Sequence, residues 1–403
     1  MPIRVLLITK LFPDAYKPFS GRLILNLAKD LNAKEDLEVK VIRPIPYVPK
    51  IFSLLSKRFK TYAFHPLSQL IDGLEIYYPK YLKFPGSFTY FEDVFIVKIT
   101  EKILKSNFEK IDIVYTHWIY PDAVAALKIA RKYNAKLIIH FHASGPYIFL
   151  RNKRIKKLSQ VVLEKSDMTI FVSQGIMNDT LNLFTVNNPT VIYNGIDDNL
   201  FFYRHFYEAR KALKVNKNII MLLSVGYLKQ NKGFDLAINA IAKLNIDNLH
   251  YYIVGWGDEL NNLKKLAESL NLNERVHFVG AKKYEEINSW MQAADVLVQP
   301  SRIESFGQVF VEALMCGTPV IGTKVGGIPE IVKDGYNGYL INIDDVGSLA
   351  LAIEKTLRTK WNIDDLINSV SHFSFSNMSN YIAELLLKDP ASIKGSKNET
   401  NKI

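Results

Sequence analysis

Short apolar runs alternate along the whole chain with stretches in which apolar residues recur every three or four positions. The runs at Ile3–Thr9, Val39–Ile42, Ile111–Tyr115, Lys136–Phe141, Met168–Val172 and Val191–Tyr193 have strand length. So do those opening at Ile219 and His250, and those at 276–280, Val296–Val298 and Val320–Ile321. Continuous apolar strands of this kind belong to parallel sheets covered on both faces. Between them, Leu23, Ile24, Leu27, Ala28 and Leu31 mark the buried side of a helix from about Gly21, and Val309, Phe310, Ala313 and Leu314 mark another. Gly317 closes the latter as its C-terminal cap. Further helices are expected at about Val346–Arg358 and Ile363–Val370. A strand–helix alternation of this length predicts two α/β, Rossmann-like, doubly wound domains facing each other across a cleft. No short-period repeat is present.

The stretch from Ala294 to Leu340 concentrates the chemistry. A buried strand stops at Pro300 and Ser301, and the helix that follows opens at Phe306 or Gly307. A helix start offers free backbone N–H groups and a positive dipole end, which suit a phosphate. Gly307 lets the main chain approach a ligand closely. Glu304, in the loop before the helix, repels that anion, but it can accept hydrogen bonds from hydroxyls beside it; Glu312 can do so one turn deeper. A ligand with a diphosphate and vicinal hydroxyls, such as a nucleotide sugar, fits this arrangement.

The residues from Pro300 to Ile321 spell P-S-x-x-E-S-F-G-x-x-x-x-E-A-L-x-x-G-x-P-V-I, followed by Gly-Gly-x-Pro-Glu at 326–330. This pattern resembles the retaining glycosyltransferases of family 4 (glycosyl transferases group 1), which have the two-domain architecture called GT-B. Other segments carry the same resemblance. Gly226, Leu228, Lys232 and Gly233 match the family's Gly-Arg-Leu-x-x-x-Lys-Gly loop, with Tyr227 in place of the Arg. Ser20-Gly21 stands where the family usually has a Gly-Gly pair, and Asn194-Gly-Ile-Asp197 resembles its domain-end motif. The resemblance implies an acceptor-binding domain over 1–197, a nucleotide-sugar domain over 198–372 with a linker at about Asp198–Asn218, and a helix over 373–388 crossing back to the first domain; the polar, Gly- and Lys-containing residues 389–403 read as a disordered tail. It also implies that Gly21, Gly226, Lys232, Ser305, Phe306, Gly307 and Glu312 bind the donor, with Glu312 on the ribose and Glu304 on a sugar hydroxyl.

His142 follows the strand Lys136–Phe141, and ligands of open α/β sheets bind beyond such carboxyl ends. The succeeding Ala-Ser-Gly resembles the family's His-Gly loop, whose His faces the transferred sugar, so His142 joins Glu304 as a catalytic candidate. His140 is expected on the other side of the strand, as a structural residue.

Composition narrows the setting. Of 403 residues, 48% are hydrophobic and 23% charged, the balance of a soluble globular chain. The single cysteine, Cys316, rules out a disulfide framework and a cysteine-cluster metal site and reads as a packed thiol. No leader or membrane-length apolar stretch is read, so a cytoplasmic protein is expected. The net charge of +11 is uneven: residues 1–200 hold 28 Lys/Arg against 18 Asp/Glu, residues 201–403 hold 23 against 22. VPKIFSLLSKRFK, with Lys50, Lys57, Arg58 and Lys60 among Ile51, Phe52, Leu54, Leu55 and Phe59, suits a helix lying on an anionic membrane surface, or equally one covering its own domain. The basic run 151–157 has no nucleic-acid module around it, so no nucleic-acid partner is expected.

No carboxylates have metal spacing, and no cofactor or metal is expected; Lys232 and the N–H groups near Gly307 would carry the leaving-group charge. The expected reaction is transfer of a sugar from a nucleotide-diphosphate sugar to a lipid-linked or saccharide acceptor in glycan synthesis. Retention would follow from same-face attack, the departing phosphate taking the acceptor's proton. Two other readings are a catalytically impaired sugar-nucleotide-binding subunit, suggested by Tyr227, and a GT-B nucleotide-sugar epimerase.

Overall fold

The computed structural model describes every residue except 14–20, 83–90, 109, 143–149, 151, 205 and 389–403. Ser20, the Ala-Ser-Gly after His142, most of the apolar run before Arg151, Arg151 itself and the expected tail therefore lie outside the described residues. The chain divides into two compact units: one of residues 1–172, 177–192 and 379 onward, the other of 173–176 and 193–378.

Each unit is an α/β layer structure on a largely parallel sheet. In the first, the strand order is Pro189–Val191, Met168–Phe171, Lys136–Phe141, Ile113–Thr116, Ile3–Ile8, Leu37–Ile42, Leu74–Tyr77 and Ser68–Ile71. Only the last pair is antiparallel. The central strands are sealed on both faces: Leu7, Ile8, Val41, Val114 and Ile138 have no exposed surface to speak of. In the second, the order is Val276–Gly280, Leu249–Val254, Ile220–Val225, Val296–Gln299, Val320–Thr323 and Gly338–Ile341, all parallel. Leu222, Phe234, Ile238, Tyr251, Val298, Ile321 and Ile353 are among the residues that fill its core. That order runs third, second, first, fourth, fifth, sixth, so the chain reverses direction across the sheet between its first and fourth strands. The crevice beyond the carboxyl ends of those two strands is where such sheets receive ligands.

Three expectations change. The stretch expected as a linker contains the helix Phe206–Leu213, held to the second unit by Arg210. This arginine is almost fully buried, lies over the Phe206 ring, pairs with Asp295 at 2.7 Å and donates to the carbonyls of Ala293, Lys217 and Ile219. The cationic stretch after Val48 is not one helix. A 3-10 turn covers Lys50–Leu54, then Ser56 caps a separate helix, Lys57–Phe64, its Oγ accepting from the Phe59 N–H at 3.1 Å. Within the basic run, Arg154 is structural: it pairs with the buried Asp93 at 3.0 Å and stacks over Phe91.

Candidate active site

The loops after the first and fourth strands of the second unit meet. Ile220–Val225 runs into Gly226 and on through a 3-10 turn, Gln230–Lys232, while Val296–Gln299 runs through Pro300 to Glu304. Asn231 O accepts from the Arg302 N–H at 2.8 Å, and Gln299 Nε2 donates to Lys232 O at 3.1 Å, which ties the loops together. The side chains of Lys232 and Glu304 then form an ion pair, Nζ to Oε2 at 2.6 Å, with Glu304 the more enclosed of the two. Glu304 Oε1 also accepts from the Ser305 N–H at 3.1 Å. A cation and a carboxylate thus stand side by side at the crevice, one suited to a diphosphate and the other to hydroxyls.

The helix beyond them covers Gln308–Met315, with Gly307 as its N-cap at φ 100°. Phe306 is almost fully buried, its ring beside Tyr193 and Phe373, so what it offers a ligand is backbone. Ser305 O accepts from Ser173 Oγ at 2.8 Å and from the Gly327 N–H at 3.0 Å. Glu330, in the Gly-Gly-x-Pro-Glu segment, accepts from the N–H groups of Gln174 and Gly175 at 2.8 and 2.9 Å. Ser173 and Glu330 were not singled out from the sequence as site residues; the polar Ser-Gln-Gly entry to the helix Gln174–Leu181 was the available signal.

Glu312 lies deeper, 4% exposed, accepting from Tyr284 Oη at 3.0 Å. Burial, opposed by that hydrogen bond, raises its pKa to about 7. Cys316, on the same buried side, donates to Asn288 Oδ1 at 3.1 Å and is a packed thiol. At the substituted loop position, Tyr227 packs edge-on to Trp256 and lies under Lys229 Nζ at 5.0 Å. Arg302 is engaged elsewhere, with Asp235, Asp344 and Gln230 O. A Cβ at Gly226 would meet only the Phe234 ring, at 3.8 Å.

In the first unit, Gly21 caps the helix Arg22–Asn32 with φ 74°, and a Cβ there would strike the Leu11 carbonyl. His142, half-buried, stands just past the strand Lys136–Phe141. His140 is buried and bonded to Tyr115 Oη at 2.8 Å, as suits a structural residue, but it does not lie on the other side of the strand. Side chains two apart on a strand share a face, and the His140 and His142 rings lie 4.1 Å apart. His117, from the neighbouring strand end, completes a group: its Nδ1 is 2.9 Å from His142 Nε2. One ligating nitrogen from each of the three lies within 4.8 Å of the others, the only such group found among the described residues that could hold a metal ion. Burial lowers the pKa of all three, that of His142 to about 4.

Residues 206–369 match the family model described as glycosyl transferases group 1, and residues 20–200 match that described as glycosyltransferase family 4. The N-acetyl-alpha-D-glucosaminyl L-malate synthase of Bacillus anthracis is 28% identical over 246 residues, which are 60% of this chain and 64% of that one. An uncharacterized glycosyltransferase of Methanocaldococcus jannaschii is 28% identical over 330 residues, 82% of this chain and 83% of its own. Among solved structures, sucrose-phosphate synthase from Thermosynechococcus elongatus superposes with a TM-score of 0.83 at 20% identity, covering 97% of this chain and 100% of that one. Anabaena HepE in complex with UDP-glucose gives 0.71 at 21% identity, covering 96% and 99%. The two parallel-sheet units have the fold of these GT-B enzymes, and the two family matches adjoin to take in most of the chain: it belongs to the group 1, family 4 glycosyltransferases.

Proposed function

We propose that this glycosyltransferase takes its sugar from a nucleotide-diphosphate sugar bound at the crevice of the second unit, and transfers it with retention to an acceptor presented at a membrane surface. The Lys232–Glu304 pair at the switch point carries this reading. On binding, Lys232 would turn to the diphosphate, beside the N–H groups at Gly307, and Glu304 would accept from a sugar hydroxyl. HepE's capture with UDP-glucose supports the donor class. Gly226 leaves room for the phosphates, Ser305 and Phe306 offer main chain, and Glu312 reaches the ribose.

Glu304 is held by Lys232 and by the Ser305 N–H, an arrangement suited to orienting a hydroxyl and ill-suited to covalent attack. Retention is then by same-face attack, with the leaving phosphate accepting the acceptor's proton. With a lysine and helix N–H groups on the diphosphate, the transfer is independent of a divalent ion. Exhaustive chelation is the test: full activity supports this, and loss restored by Mg²⁺ or Mn²⁺ contradicts it.

The acceptor reading rests on the surface over residues 47–71, which holds four cations and no acid. Ile51, Leu54 and Leu55 there are 79%, 94% and 69% exposed, beside Lys50, Lys57, Arg58 and Lys60. Apolar side chains offered to water between cations suit the headgroup layer of an anionic bilayer. Among the described residues no helix is long and apolar enough to cross a membrane. A lipid-linked or glycolipid saccharide is the acceptor class that follows. The Bacillus relative's name specifies malate, so the assay should carry a soluble hydroxy acid beside lipid extract. Transfer to lipid alone supports the proposal; transfer to the hydroxy acid alone overturns its acceptor half.

A further inference from the structure

We propose that Lys229, its ammonium carried over the Tyr227 ring, is a second cation for the diphosphate of the donor, beside Lys232, and so a determinant of donor affinity. The inference deepens the reading of the second unit's crevice as a donor site and rests on it.

Three side-chain cations stand on the two loops that meet at the crevice: Lys229, Lys232 and Arg302. Two of them are neutralised in place. Arg302 donates to both oxygens of Asp235 at 2.7 and 2.9 Å, to Asp344 at 2.6 Å and to Gln230 O at 2.6 Å, which occupies the whole guanidinium. Lys232 is paired with Glu304. Lys229 is exposed and has no carboxylate partner among the described residues; its Nζ lies 5.0 Å from the centroid of the Tyr227 ring. A ring face attracts an ammonium without cancelling its charge, so the cation is held but stays available to an anion.

The backbone around it is pinned. Leu228 is buried, donates its N–H to Trp256 O at 2.8 Å and accepts at its carbonyl from the Glu259 N–H at 3.1 Å. Gly257 permits this close approach, since a Cβ there would lie 2.4 Å from Leu228 O. The Lys229 N–H donates to Tyr227 O at 2.8 Å, and Lys229 O accepts from the Lys232 N–H at 3.0 Å, so the two lysines bracket a single 3-10 turn. Trp256, 59% exposed, meets Tyr227 edge-on at 4.8 Å between centroids and backs the ring that carries the ammonium.

A diphosphate bears negative charge on each phosphorus. The Lys232–Glu304 pair is neutral as a unit, and Arg302 is outweighed by its two carboxylates. Among the described residues of these loops, Lys229 is therefore the cation that meets an incoming diphosphate without first breaking an ion pair. When Lys232 turns to the phosphates and Glu304 to a sugar hydroxyl, the carboxylate still stands near the anion, and Lys229 offsets that repulsion. A monophosphate leaves one lysine to spare, so losing either costs it less.

The test is calorimetric titration of the full-length protein with UDP, ADP and GDP and with their monophosphates. For the diphosphate that wild type binds most tightly, Lys229→Met should lose about tenfold in affinity, with less than about threefold change for its monophosphate. Lys229→Arg should stay within about threefold of wild type, and Lys229→Glu should lose about a hundredfold. The loss in Lys229→Met should shrink in about 0.5 M salt, and its donor kcat/KM should fall by a similar factor. The side chain is exposed, so all three variants should melt as wild type does. Met and Glu variants that bind the diphosphate within threefold of wild type overturn the proposal, as does an equal loss in Met and Arg, or an equal loss for monophosphate and diphosphate. If Lys232→Met loses affinity while the Lys229 variants do not, this proposal fails and the crevice reading stands. A wild type that does not prefer a diphosphate sinks the crevice reading, and this proposal with it.

Discussion

Glu312 shows how much of a site residue's chemistry is settled by neighbours remote in sequence. Its place on the helix was legible from the spacing of Val309, Phe310, Ala313 and Leu314, but its enclosure was not, because Tyr284 comes from another helix. Burial raises its pKa to about 7, so between its ordinary value and that point the folded protein binds a proton that the unfolded chain releases. The sign follows: stability is highest below pH 4.5 on this account and falls as pH rises to about 7, by roughly 3 kcal/mol at most. Glu312→Gln should flatten that decline in a thermal melt series from pH 4.5 to 8, and an unchanged slope would show that Glu312 is not the group responsible. At Glu304 the expectation is kinetic. Glu304→Ala should lower kcat at least a hundredfold while nucleoside diphosphate still binds; near-wild-type turnover in a folded variant would remove it from the reaction. The misplacement of His140 was an error of periodicity, since residues 140 and 142 lie on one face.

At the scale of elements, the glycines fix where the loops can go. Gly326 has φ +51°, and a Cβ there would collide with the Glu304 carbonyl; at Gly233, with φ +72°, it would collide with that of Pro300. Both positions press the second unit's loops together beneath Lys232 and Glu304. Gly326→Ala should therefore lower Tm by several degrees and weaken turnover more than nucleotide binding, measured by melting and by steady-state kinetics together. If turnover were unaffected, the loop would be free to shift without consequence for Glu304. Strands and helices of the second unit were readable because a continuous apolar run and a 3.6-residue repeat differ clearly. The helix Phe206–Leu213 was not, since its buried face includes Arg210, a residue whose partners Asp295 and Ala293 lie over eighty positions away. Likewise, the single helix expected over the cationic stretch gives way to a turn and a capped helix because Ser56 competes for the chain.

For the whole molecule, the charge asymmetry places the cationic burden in the first 200 residues, and the fold gives part of it a surface. Arg154 and Lys128 are spent on the buried Asp93, whereas Lys50, Lys57, Arg58 and Lys60 surround exposed aliphatic side chains. Each such cation near an anionic bilayer adds about 1 kcal/mol, screened within a Debye length. Co-sedimentation with vesicles should rise with anionic lipid and fall with salt. It should drop about tenfold or more when Lys57, Arg58 and Lys60 become Ser. Binding indifferent to salt, or none, would make this face ordinary surface. Whether the second unit's crevice receives a nucleotide-diphosphate sugar through Lys232 can be read from calorimetric titration of the protein with a nucleoside diphosphate and its monophosphate. Wild type should prefer the diphosphate, and Lys232→Met should lose at least tenfold in diphosphate affinity while its weaker affinity for the monophosphate changes little. Equal affinity of wild type and Lys232→Met for the diphosphate would contradict it.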